Sequence, residues 1–420
     1  MNYQNLSKNE LTRLHKKLIS EYNAICDKKL SLDMSRGKPS FAQVKISDDF
    51  FSLVGKKAGF KTLNGVDCRN YGLLDGIPEL KKLFSEMLSV SENNVIVGGN
   101  SSLNMMYDVI SQGMTTGFGE KPWLLQDEII FLCPSPGYDR HFAICEHFGI
   151  KMIPIKNLST GPDMDEIEKY MSDKRVKGIW CVPKFSNPEG ITYSDETVKR
   201  FARLKPAAND FRIFWDNAYA VHCIDEDYDL VNIFEECKKA ETKNLVIEFT
   251  STSKITFPGG GVAALIADDE DIERIKNRMQ YQTIGPDKLN QLRHARMFPT
   301  LSALKEHMKK HSAILKPKFE IVLNAFRSEL NDIATWTEPK GGYFISLTVM
   351  DGTAKKIHKL CLNAGLIITE AGATFPYHAD PNDNNLRIAP SFPPESELKM
   401  ASKILCLAVK LAAIEKLLDI

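Results

Sequence analysis

The 420-residue chain reads as an α/β protein. A mostly parallel sheet is sandwiched by helices, and a smaller α+β unit follows. Three observations predict this. Apolar, β-branched runs alternate with helical patterns through the middle of the chain. The alternation stops after Gln282. The residues with chemical character stand at the C-terminal ends of the apolar runs, where ligands of parallel sheets gather.

Taken in order, residues 7–29 form an amphipathic, charged helix opened by the capping box Ser7-Lys-Asn-Glu10. Apolar runs at 94–98, 129–133, 178–182, 211–215, 245–249 and 262–267 read as buried strands. Helical periodicity fills 102–111, 163–172, 196–204 and 269–280. Residues 290–330 are almost continuously helical. A strand at 342–348, a helix from Ala354, a short strand at 386–389 and a helix from Glu395 complete the chain. These patterns divide it at 1–50, an N-terminal helix and segment that packs with the small unit; 51–295, the large unit; and 296–420, the small unit.

Composition narrows the function. The chain is 43% hydrophobic and 26% charged, enough to bury a large core. Lys+Arg and Asp+Glu both number 54, and zero net charge argues against nucleic acid or an anionic membrane as partner. No apolar run approaches the roughly 20 residues of a membrane span, and the N-terminus does not read as a signal peptide. Nine scattered cysteines without a CxxC motif read as free thiols in a reducing compartment, hence the cytoplasm. His307 and His311 have the i, i+4 spacing of a metal pair. They lie among lysines with no third ligand nearby, so a solvated helix face is the expectation. The acidic stretch 225–229 lacks EF-hand spacing and reads as a solvated turn.

Lys254 is the most informative residue. It ends an apolar run through Ser251-Thr252-Ser253 and is followed by Pro-Gly-Gly-Gly at 258–261. At the mouth of a buried strand, desolvation lowers a lysine pKa and makes the amine a nucleophile. The three hydroxyls before it suit a phosphate. A nucleophilic lysine beside a phosphate cradle is what pyridoxal phosphate (PLP) requires. Asp216, at the end of another apolar run, would meet a pyridinium nitrogen; the alternative is an ordinary turn or N-cap acid. Tyr219 would bond a phenolate oxygen or else sit in the core. Asn187-Pro188 aims an amide from a turn whose peptide bond is a candidate for cis. Gly98-Gly99-Asn100-Ser101-Ser102 ends a strand and opens a helix, whose orphan N–H groups and dipole attract phosphate. Neither this run nor 259–261 is GxGxxG, which speaks against a dinucleotide fold.

In this order, these pieces resemble the class I and II aminotransferases of PLP fold type I, from about Asp33 to Pro393. Asn70-Tyr71-Gly72…Gly76-Ile-Pro-Glu-Leu80, Pro-Gly137-Tyr138, Asn187-Pro-Glu-Gly190, Asp216-x-x-Tyr219, Ser251-x-x-Lys254 and Leu386-Arg387 match the family's motifs. Met34-Ser-Arg-Gly-Lys-Pro39 and Pro-Gly-Tyr-Asp-Arg-His141 resemble a divergent aspartate aminotransferase-like branch. The resemblance implies that Lys254 bonds the cofactor covalently and carries the proton at the substrate Cα. It implies that Asp216 pairs with the pyridinium, Tyr138 stacks on the ring, and Asn187 and Tyr219 contact the 3′ oxygen. Asn100, Ser101, Ser102, Ser251 and Ser253 would frame the phosphate, joined by Tyr71 of the partner subunit in a homodimer. Arg387 would clamp the substrate carboxylate in a bidentate pair, with Gly37 approaching backbone-first.

The implied activity is a ping-pong transfer of an amino group between an L-amino acid, aspartate or glutamate by the branch it resembles, and a 2-oxo acid. A PLP-dependent β-lyase on the same fold is the alternative. A PLP-sensing regulator is disfavoured, since only one helix precedes Asp33. Two departures stand out. Many members carry an arginine seven or eight residues after the lysine, where this chain has Gly261 and Val262; Arg36, Arg140 and Arg293 are candidates to replace it. Asn100 stands where some aspartate-type relatives have a lysine. Arg140 and His141 are placed to reach a substrate side chain, and His222 to support the site from behind.

Overall fold

The computed structural model describes residues 3–225 and 229–420. Its large sheet has the strand order Val95–Val97, Ala263–Ala267, Val246–Ser251, Arg212–Asp216, Val176–Cys181, Ile130–Ser135, Lys151–Leu158, Gly161–Pro162. From Val246–Ser251 to Lys151–Leu158 the neighbours run parallel. Ala263–Ala267 is antiparallel to both its neighbours, and Gly161–Pro162 to its one. The predicted fold class holds.

All six apolar runs contain a strand, and every residue of those strands is buried. Continuous rather than alternating apolarity is what a parallel sheet covered on both faces demands. Lys151–Leu158 escaped the sequence reading for the same reason in reverse. It alternates exposed and buried residues and contains Pro154, as befits a strand near the sheet's edge.

The small unit builds on an antiparallel sheet of Thr335–Trp336, Ile345–Thr348 and Asn385–Ile388. The N-terminal helix Lys8–Cys26 has the predicted capping box. Its Leu11, Leu18 and Ile25 share a core with Leu405 and Ala412 of the C-terminal helix Glu395–Leu418. Leu32–Asp33 then pairs in parallel with Leu366–Ile367, which delivers Arg36 and Gly37 to the cleft between the two sheets.

The almost continuously helical stretch expected at 290–330 is two helices, Lys288–Met297 and Leu301–Glu329. Pro299 separates them, and Thr300 caps the second by accepting from the Ala303 N–H. Leu304 and Met308 pack with the large unit, whereas Phe319 and Phe326 pack with the small one. This helix also corrects the reading of its histidines. His307 and His311 are 6% and 1% exposed, not solvated. At helical spacing they fall on the same stripe as Leu304, Met308 and Leu315, while the lysines occupy the opposite face. His307 Nε2 lies 2.8 Å from the Ile255 carbonyl oxygen, and His311 is bridged to Gln43. Of the acidic stretch 225–229, residues 226–228 lie outside the described residues. No helix among the described residues is long and apolar enough to cross a membrane.

Candidate active site

The C-terminal ends of the strands open on a cavity of about 410 Å³ between the large and small sheets. Gly37, Ser101, Ser102, Tyr138, Asn187, Asp216, Tyr219, Ser251, Ser253, Lys254 and Arg387 all line it. Two predicted residues do not. Asn100 lines an adjoining cavity and offers its carbonyl to Ser253 Oγ at 3.3 Å. Tyr71 is 79% exposed on the surface of this chain.

Lys254 follows the Val246–Ser251 strand by three residues, in a turn tied by the Ile255 and Thr256 N–H groups to the Thr252 carbonyl. Its Nζ sits 5.0 Å from the centre of the Tyr219 ring. Desolvation lowers its pKa, and the Asp216 carboxylate acts in the opposite sense. Behind it, Tyr343 donates to the Lys254 carbonyl at 3.4 Å. His222 packs edge-on against Tyr219 and Tyr343. Neither His222 ring nitrogen has a hydrogen-bond partner among the described residues. Burial and the nearby Lys254 charge hold that imidazole well below its ordinary pKa, so it is neutral.

Asp216 ends the Arg212–Asp216 strand and is 4% exposed. Oδ2 lies 3.1 Å from His141 Nε2, and that imidazole stacks on Trp180 at 4.3 Å and 7°. His141 therefore serves Asp216 rather than a substrate side chain. Oδ1 is buried with no partner among the described residues. A buried, half-satisfied carboxylate facing a cavity calls for a cationic N–H donor. A protonated pyridine nitrogen answers that need, so the residues present fit PLP.

The hydroxyl cluster is split by strand geometry. Ser251 and Ser253 face the cavity and each other at 3.2 Å. Thr252 does not join them. It is 1% exposed, accepts from the Val262 N–H at 2.8 Å and lies 3.0 Å from His294 Nε2. Ser101 is the N-cap of the Ser102–Thr115 helix, and its hydroxyl makes no capping bond. The first turn of that helix thus adds free N–H groups to the hydroxyls of Ser251 and Ser253 at one end of the cavity. Arg36 and Arg140 line the same cavity. Arg293 lines the adjoining one, beside Gly98–Asn100, with its Nε buried and without a partner among the described residues.

At the other end Arg387 is held through Nη1 and Nε. It donates to Asp139, Asn187 and Thr369, and its flat face lies over Phe344. The Asn187–Pro188 peptide is cis. A Cβ on Gly37 would come within 2.4 Å of Phe344 Cζ, so any side chain there would force the Phe344 ring to move.

The model of the family described as aspartate amino-transferase matches residues 6–420. The chain belongs to the aspartate aminotransferase family. It is 42% identical to an aspartate aminotransferase of Corynebacterium glutamicum over 406 residues, covering 96% of this chain and 94% of that protein. The crystal structure of an aspartate transaminase from the same species superimposes with a TM-score of 0.96 at 41% identity, covering 99% of each chain. An α-aminoadipate aminotransferase from Thermus thermophilus shares the fold alone, with a TM-score of 0.74 at 19% identity over 95% of each chain. The expected fold and the expected aminotransferase both stand.

Several partners within this aminotransferase site were not read from the sequence. Asp139 and Thr369 flank Arg387, and Phe344 supports it. Asp139 directly follows Tyr138, so adjacency to a stacking residue was the available signal. Thr369 and Phe344 arrive from the distant small unit and left none.

Proposed function

We propose that this aminotransferase holds PLP in the cavity around Lys254 and moves an amino group between an L-amino acid and a 2-oxo acid by a ping-pong cycle. The observation that carries this is the Lys254–Asp216 arrangement: a desolvated amine beside a buried carboxylate with one oxygen unclaimed. When bound, the cofactor supplies an aldehyde for the amine and an electron-withdrawing ring for the Cα carbanion.

The chain's own residues then divide the labour. Asp216, steadied by His141, keeps the pyridine nitrogen protonated. Tyr138 covers one face of the ring. Burial and the Asp216 charge push its phenol up to about 12, so it stays neutral beside a π system. Asn187 and Tyr219, which line the cavity, would hold the ring's 3′ oxygen. Ser101, Ser102, Ser251 and Ser253 grip the phosphate, with Asn100 shaping the turn. Lys254 would hold the cofactor through its amine and, once freed by the substrate, would carry the proton at the substrate Cα, because its amine is neutral at lower pH than a surface lysine's. Arg387 orients the substrate by its carboxylate, and Gly37 leaves room for it.

We further propose a homodimer in which Tyr71 reaches the partner's phosphate site, acting in the cytoplasm. Tyr71, Leu63 and Phe51 are exposed side chains that a second copy would cover. Aspartate and glutamate are the proposed donors; that the Corynebacterium relative is an aspartate aminotransferase supports aspartate. A half-reaction panel tests this. PLP-loaded protein is mixed with one amino acid at a time, without an oxo acid, and the cofactor's yellow absorbance is followed. Loss of colour with aspartate or glutamate is expected. If both are inert while another amino acid reacts, the dicarboxylate assignment is wrong.

A further inference from the structure

Arg387 is already engaged by a carboxylate of its own chain. Nη1 donates to Asp139 Oδ1 at 2.7 Å and to Asn187 Oδ1 at 3.2 Å, and Nε donates to Thr369 Oγ1 at 3.3 Å. Nη2 donates to no group among the described residues. The arginine side chain is 8% exposed and that of Asp139 is 29% exposed. Asp139 is also the first residue of the Asp139–His147 helix, whose N-terminal dipole favours a carboxylate at that place.

A guanidinium binds a carboxylate best through two N–H groups at once. Both hydrogens of Nη1 are committed. An incoming carboxylate that takes the Nη1–Nη2 edge therefore has to displace one of these two acceptors, and Asp139, which carries the same charge and borders the cavity, is the one it competes with. We propose that Asp139 is a built-in competitor for the substrate-carboxylate site of Arg387. Each substrate exchanges with it, and Asp139 returns when the product leaves. The exchange needs only a rotation of a short side chain that already borders the cavity. Two consequences follow. The cation is never left buried without a partner, which would be costly. Affinity for amino acid and oxo acid is lowered together, because both present the same carboxylate. Chemistry at Cα is untouched, since Asp139 meets the clamp and not the reacting atoms. Lowering ground-state affinity equally on both sides suits a ping-pong enzyme, which must release one acid before the next can bind.

The inference rests on Arg387 being the substrate clamp, and the test separates the two. Asp139→Asn keeps the side chain's size and a neutral acceptor while removing the charge. Acetate, an unreactive carboxylate, serves as the probe on the PLP-loaded enzyme. In Asp139→Asn its inhibition constant should fall about fivefold, as losing roughly 1 kcal/mol of competing attraction dictates. KM for amino donor and oxo acceptor should fall alongside, with kcat held within about twofold. A residue that merely braced Arg387 would give the opposite, weaker acetate binding and raised KM, and that result would overturn the proposal. Arg387→Ala is the control. If it abolishes acetate inhibition while Asp139→Asn leaves it unmoved, the competitor is refuted and the clamp stands. If Arg387→Ala leaves acetate inhibition unchanged, the clamp itself is refuted and the competitor with it.

Discussion

Asp216 and Glu248 are two buried carboxylates on adjacent strands with opposite fates. Asp216 lines the cavity with Oδ1 unclaimed among the described residues, open to a cationic donor. Replacing it by Asn leaves PLP in place by its other contacts but removes the counter-charge, and kcat should fall by about 10²-fold or more, the scale of a broken buried pair. Steady-state rates beside a PLP titration check this. Glu248 makes no ion pair among the described residues; burial pushes its carboxyl up to about 7, opposed by a bond from Asn217. Its folded pKa is raised, so its contribution to stability is full below about 4.5 and is lost as pH rises through about 7. Glu248→Gln should therefore melt at a higher temperature than the parent at pH 8, and the gap should close at pH 5. Thermal scans at the two pH values decide it. At this scale the sequence was legible where a residue ends an apolar run, as Lys254, Asp216 and Ser251 do. It was illegible where identity depends on a facing element: His141 belongs to Asp216, Thr252 turns to His294, and His307 and His311 are buried. No local spacing announces which side of a helix meets a core.

The turn that carries Tyr138 is set by backbone contact. A Cβ on Gly137 would lie 2.4 Å from the Pro134 carbonyl oxygen and 2.8 Å from Phe142 Cζ. The Gly137 N–H also donates to the Thr374 carbonyl across the two units at 2.7 Å. Gly137→Ala should cost roughly 2 kcal/mol of stability, in the range of overpacking a tight site, and displace the start of the Asp139–His147 helix. Lowered Tm together with weakened PLP binding is the expected pair of results, against a Tm change alone if the turn adjusts without moving Tyr138. Elements were read well wherever burial is two-sided, because apolarity is then continuous. They were read poorly at Lys151–Leu158, where the sheet nears its edge, and at 298–300, where a single Pro breaks a long helical pattern. The Asp139–His147 helix was missed because it mixes charged and apolar residues over little more than two turns.

For the whole molecule, the chain alternates strands and helices to build the large sheet, then adds a second sheet whose Arg387 faces the strand ends. The class of this architecture was predictable from alternation alone. The cleft was not, because it forms only when residues more than a hundred positions apart meet. Joining Asn187 to Arg387 is the example. The shared-site dimer makes its own prediction. Tyr71→Ala and Lys254→Ala, each inactive or nearly so, should recover about one quarter of parental activity when subunits are mixed equally and exchanged, because half the dimers are hybrids with one intact site of two. No recovery despite verified exchange would place Tyr71 and Lys254 in the same subunit's site.

The central claim is that Lys254 holds the cofactor through its amine. Borohydride reduction of PLP-loaded protein, followed by mass mapping of its peptides, tests it most directly. The account predicts a phosphopyridoxyl group fixed on the peptide containing Lys254, and none fixed there in Lys254→Ala, although that variant still binds PLP reversibly. A reduced adduct on another lysine, or protein that stays colourless with added PLP, would contradict it.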